Sequence, residues 1–161
     1  MTERRTVLAA LPALGLAIVF ALDGMRARDA SAQAGATTGQ RLALKGYDPV
    51  AYFTDGKPVP GVEAYELTWD GQRYRFASAQ HRDLFRKNPD KYAPQFGGAC
   101  TMNLANGVKR EADPRNWIIS DGNLYVFAGA AGPTNFAKDP HKNAERAGEN
   151  WRRLKTAPTM Q

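Results

Sequence analysis

From Tyr65 to Phe76 apolar and polar positions alternate. Tyr65, Leu67 and Trp69 are separated by Glu66 and Thr68, and Tyr74 and Phe76 are flanked by Arg73 and Arg75. A period of two over this length predicts strands with one covered face. The Asp70-Gly71 pair between the two runs supplies the positive φ angles of a tight two-residue turn, so the segment predicts a β-hairpin with one polar face. "NWIIS" and "NLYVF", joined by Asp121-Gly122, predict a second hairpin. Alternation is weak there, and those strands are expected to be covered on both faces.

Helical spacing occupies the stretches between and after the hairpins. Ser78 is the expected N-cap of a helix running to about Asn88 and stopped by Pro89, with His81, Leu84 and Phe85 on one face. Asp139 followed by Pro140 predicts a last helix to about Leu154, with Ala144, Ala147, Trp151 and Leu154 as its inward stripe. "ACTMNLANG" predicts a short helix beginning within a residue or two of Cys100 and ending at Gly107. These elements interleave without βαβ regularity. The expectation is a small single-domain α+β fold over residues 41–155, with two hairpins packed against short helices and a C-terminal helix, and with no internal repeat. Residues 156–161 read as a loose tail.

The N-terminus changes the picture of where this domain works. Arg4 and Arg5 precede the apolar run Thr6 to Leu22, and "ASAQA" offers small-residue cleavage positions after Ala32 or Ala34. Residues 1–34 therefore read as an export signal, whose adjacent arginines resemble a twin-arginine signal, and residues 35–40 as a linker. Periplasmic location follows as the expectation, with no integral membrane segment once the leader is removed. The whole chain of 161 residues carries +6, and removing the leader's four basic and three acidic residues leaves about +5. These charges are scattered singly and in pairs, without the clustered basic and aromatic pattern of nucleic-acid binding, so no nucleic-acid partner is expected.

Cys100 is the only cysteine, which excludes the internal disulfide usual in small exported domains. At the start of a short helix a thiol meets unpaired backbone N–H groups, which favour the ionised form that binds soft metals. A small buried core residue is the other reading. Met102 is a second soft donor, but two positions along a helix it points away from Cys100. His81 is an imidazole on a buried face, and His141 is expected to be exposed. HExxH, CxxC, GxSxG and P-loop signatures are absent, so the sequence leans away from an enzyme and leaves that question open. A Cys100–His81 nucleophile pair would lack a third, orienting group.

"KGYDPVAYF" (45–53), "YRFASAQHRDLFRKNPDKYAPQFGGAC" (74–100), "DPRNWIISDGNLYVF" (113–127) and "AERAGENW" (144–151) together resemble the exported YHS-domain proteins of bacteria, related to TRASH modules. The resemblance implies a small α+β fold and a role in metal binding, since such modules occur beside heavy-metal sensors and copper-transporting ATPases. Those relatives carry cysteines near the junction matching "RFASAQHRDLF", where this chain has Ala77 and His81, so a four-ligand structural zinc site is not expected. Some exported members are described as selenoproteins at the position matching Cys100, which implies a chemically used sulfur. The reading is a metal-binding protein, for copper, with Cys100, His81 and Met102 as candidate ligands in that order and a metal donor or acceptor protein as partner. Thiol redox chemistry at Cys100 with an external partner, or a binding module with Cys100 in its core, are the alternatives.

Overall fold

The computed structural model describes residues 39–160. The expected leader, and residues 35–38 of the expected linker, lie outside the described residues. The elements are, in order, α1 (Ala51–Thr54), β1 (Val62–Trp69), β2 (Gln72–Phe76), α2 (Ala79–Lys87), α3 (Pro89–Tyr92), α4 (Thr101–Ala105), β3 (Asp113–Ser120), β4 (Asn123–Phe127), α5 (Ala131–Phe136) and α6 (Pro140–Leu154). β1–β2 and β3–β4 form two separate antiparallel sheets. The result is the α+β domain that the patterning predicts.

Local chemistry accounts for the boundaries. Both hairpins turn on Asp-Gly pairs with left-handed backbone, φ being 45° and 70° at Asp70-Gly71 and 50° and 75° at Asp121-Gly122. Ser78 caps α2 by accepting from the His81 amide. Asn88 and Asp139 cap α3 and α6 in the same way, each followed by proline in the first turn. β1 and β2 keep their polar face, where Glu66 bridges Arg73 and Arg75. β4 is buried over Leu124–Phe127, whereas β3 is mostly half-buried.

One expectation fails: the domain is an internal repeat. In β1–β2, Val62 pairs with Phe76 and Trp69 with Gln72, with a bulge between Val62 and Glu66. In β3–β4, Asp113 pairs with Phe127 and Ser120 with Asn123, with a bulge between Asp113 and Trp117. Every one of these positions is displaced by the same 51 residues. Flanking bridges repeat as well, Leu42 to Arg73 and Tyr47 to Pro60 being matched by Pro94 to Leu124 and Ala99 to Glu111. A left-handed turn precedes each copy's first helix, at Leu44–Gly46 and at Phe96–Gly98. The aromatic cores match too. Tyr74 tilts on Phe85 at 4.8 Å and Tyr125 on Phe136 at 4.6 Å, both at 35°. The repeat escapes a sequence reading because what is retained is sparse: Asp-Gly, Tyr-x-Phe-Ala, one helical Phe, and Pro-x-Lys at the following cap.

Copies one and two span 42–92 and 94–143. In copy one the helix opened by Pro89 ends after one turn because Pro94 follows. In copy two the equivalent helix continues as α6, and its continuation packs Ala147, Trp151 and Leu154 on α4. Each copy has its own aromatic core. Tyr52 of copy one crosses into copy two, stacking edge-on against Trp117 at 5.1 Å and donating its hydroxyl to the Pro114 carbonyl at 2.9 Å. That carbonyl lies in the β3 bulge, outside the ladder. Burial raises the Tyr52 hydroxyl pKa well above the ordinary tyrosine value, so it remains a neutral donor. The expected loose tail is instead tied down among the residues described: Met160 donates to the Lys109 carbonyl and accepts from the Glu111 amide, and Lys109 Nζ binds the carbonyls of Lys155 and Ala157.

Tyr52→Phe leaves a buried carbonyl without a donor and is expected to cost about 1–2 kcal/mol, measured by urea unfolding. An unchanged midpoint would show that the bond between the copies adds nothing net. At Asp113, the Arg115 side chain and amide both donate to the carboxylate and hold its pKa at about 2. The folded value lies below the unfolded one of about 3.9, so the associated stability is present above about pH 4 and lost as pH falls towards 2. Because Arg115 is largely exposed the term is small. Asp113→Asn should lower stability at neutral pH and converge on wild type at the acid end. A constant difference across that window would contradict it.

Candidate functional site

The best-defined polar cluster is built on Asp48, whose carboxylate is fully buried. The left-handed turn at Leu44–Gly46 reverses the chain so that the Asp48 amide donates to the Val59 carbonyl and the side chain points inward at the start of α1. Asp48 Oδ1 accepts from the Val50 amide at 2.8 Å. Oδ2 accepts from the Ala77 amide at 2.8 Å and lies 2.7 Å from His81 Nδ1. Two backbone donors and an imidazole thus offset the burial of one charge, and they tie α1, the end of β2 and α2 together.

The carboxylate also fixes the histidine. Ionised Asp48 can only accept, which assigns a proton to Nδ1 and turns Nε2 to the far side of the ring. Nε2 is 3.4 Å from Thr54 Oγ1. The Thr54 hydroxyl has a better acceptor in Asp55 Oδ1 at 2.8 Å, so its single proton is engaged elsewhere. The His81 side chain is 15% exposed. An imidazole oriented by a carboxylate, with its far nitrogen reachable, has the form of a metal ligand or a base. Asp48, Thr54 and Asp55 are members that sequence reasoning missed. Asp48-Pro49 reads there as a turn, and the contact that defines it spans 33 residues.

Cys100 is placed differently. It is the N-cap residue of α4, as the sequence suggests, but α4 has only five residues and the thiol is 2% exposed. Asn103 Nδ2 lies 3.0 Å from Sγ in donor geometry, and the core around the sulfur includes Tyr52, Phe127 and Phe136. In the repeat Cys100 stands where Asp48 stands in copy one: their amides donate to the corresponding carbonyls of Arg110 and Val59. The residue matching His81 is Gly132. A Cβ built there would lie 2.3 Å from Phe127 Cβ, so no side chain can enter and copy two cannot form the pair. Met102 packs half-buried against the same core as Cys100. No hydrogen bond joins His81 to either residue among those described. His141 is 89% exposed, with Asp121 at 4.0 Å.

Whether this chain can hold a metal turns on its donors. Among the described residues no three His, Cys, Asp or Glu side chains converge. His81 can offer Nε2 as a single donor, with Thr54 Oγ1 3.4 Å from it and Asp55 Oδ1 2.8 Å from that hydroxyl. Cys100 is enclosed by apolar side chains and does not offer an open position in this conformation.

Asp48→Ala would strand two amides and the imidazole and is expected to cost about 3–5 kcal/mol, measured by urea unfolding. A loss under about 1 kcal/mol would show that water replaces the carboxylate. Cys100 is expected to react with an aromatic disulfide reagent orders of magnitude more slowly in the native protein than in denaturant. Equal rates would restore it as an accessible thiol.

Residues 50–96 match the family model of the YHS domain. No curated protein and no solved structure matches the chain. The matched span covers α1 to α3 and continues to Phe96, so it includes Thr54, Asp55 and His81, while Asp48 lies just before it. A metal-binding role is attributed to the YHS module, and a partly exposed imidazole at His81 is consistent with that role. The chain therefore contains a YHS domain, over residues 50–96.

Proposed function

We propose that this protein is an exported, periplasmic copper-binding protein whose exchangeable site is centred on His81 in copy one. The observation that carries the reading is the imidazole oriented by Asp48, with Nε2 on its far side beside Thr54 Oγ1 at 3.4 Å. Imidazole with oxygen neighbours is a borderline donor set, and among divalent first-row metals such a set favours copper(II). Asp48 orients the ring, Thr54 and Asp55 supply oxygens, and solvent or a partner's donors complete the coordination. A site with so few ligands from one chain releases its ion readily, which suits a carrier that receives from or delivers to a second protein. Export is supported by the leader-like residues 1–34. Cys100, the first candidate from sequence, and Met102 contribute packing to copy two in this reading.

The test is copper(II) titration of the full chain, followed by calorimetry and by electron paramagnetic resonance for nitrogen coupling. His81→Ala should abolish micromolar binding and the imidazole signal, and Asp48→Asn should weaken binding about 10–100-fold. Cys100→Ser and His141→Ala should leave both readouts unchanged. Wild-type binding weaker than micromolar, or binding indifferent to His81→Ala, would falsify the assignment. Loss in Cys100→Ser instead would return the site to the thiol.

A further inference from the structure

The first hairpin, the segment after α3 and the last helix enclose a cleft of about 170 Å³ on a part of the molecule that the His81 site does not use. Its walls are aromatic, with Trp69 at the end of β1, Tyr74 on β2, Phe96 in the left-handed turn and Trp151 on α6. Two carboxylates, Asp70 and Asp90, belong to the same lining, and no lysine, arginine or histidine does. Neither Asp70 nor Asp90 takes part in an ion pair among the described residues, although the chain as a whole carries +6. Unpaired carboxylates beside indole and phenyl faces, in an otherwise basic protein, make a local field that attracts cations.

Two details of the cleft wall sharpen this. Gly97, at φ 59°, brings its backbone against Trp151: an added Cβ would meet the Gln72 amide nitrogen at 2.9 Å and the Trp151 ring at 3.4 Å. The opening is thus kept by the absence of a side chain. Gln72 donates to the Gly97 carbonyl at 3.4 Å, while its own carbonyl oxygen is buried without a partner. Arg41 donates to the same Gly97 carbonyl and has Glu111 at 3.7 Å as a counter-charge. The Lys109 ammonium, held by the carbonyls of Lys155 and Ala157, lies 5.5 Å from the Trp151 ring, so this indole is within cation–π reach of the protein's own lysine.

The geometry points to a binding site for a small alkylammonium ion in this cleft, with Trp69, Phe96 and Trp151 facing the cation and Asp70 and Asp90 balancing its charge. An ammonium head with apolar substituents gains from the aromatic walls and the carboxylates together, whereas a neutral ligand of the same shape gains only from the walls. An inorganic divalent ion is disfavoured because it would gain little from aromatic walls and demands several oxygen ligands. Methylated or primary amines of a handful of heavy atoms are the class that fits.

Choline and its neutral carbon analogue 3,3-dimethylbutan-1-ol are the probes, titrated into the metal-free full chain with indole N–H signals followed by NMR. Choline is expected to shift Trp69 and Trp151 but not Trp117, which lies in copy two against Tyr52. The neutral alcohol should bind about tenfold more weakly or worse. Asp70→Asn combined with Asp90→Asn, both at exposed positions, should remove the difference between the two probes. Equal binding of both probes to the wild type, uniform shifts at all three indoles, or no shift at millimolar choline would each overturn the proposal. None of these outcomes depends on copper, so the His81 assignment stands or falls separately.

Discussion

Each copy of the unit depends on one helical phenylalanine driven into its own hairpin. Phe85 meets Tyr74, Phe76 and Trp69, and Phe136 meets Tyr125 and Phe127. A two-stranded hairpin alone is marginal in water. Closing it with a helix through fully buried aromatic rings supplies the apolar area and the edge-on and tilted contacts that make it hold. The other features follow from that closure: the strand end at Ala77, the cap at Ser78, and the position from which His81 reaches Asp48.

The two copies have then been put to different uses. Copy one keeps a polar interior at the helix start, where a buried carboxylate organises two amides and an imidazole. Copy two fills the corresponding place with Cys100 and Gly132 and extends its last helix to cover α4. The interface between the copies is carried by Tyr52 and Leu44, so the polar site sits in a half that is braced by its partner half. This division explains how a domain with a small core can afford a buried carboxylate: much of the packing lies in the copy that has none.

Much of this was legible in the sequence, and the legible parts are local. The Asp-Gly turns, the Ser78 and Asp139 caps, the short helix at Cys100 and the exposed His141 are decided by residues a few positions apart. What escaped is decided at long range. Asp48 reads as a turn residue until the chain brings residue 81 back to it, and the thiol reads as accessible until copy two encloses it. The repeat was hidden because packing constrains few positions, and the residues between them have diverged freely. Met160 was read as tail because nothing local signals that its backbone will pair with residues 109 to 111.

The close approach of Gly132 to Phe127 also limits what substitution can do. A histidine at position 132 would set its Cβ against a ring that the core requires, so the polar pair cannot be built into copy two one residue at a time. Phe127, Gly132 and Cys100 would have to change together, each alone disturbing the packing of the half that holds no buried carboxylate. For engineering the halves are not interchangeable: one has room for an imidazole at this point and the other has none.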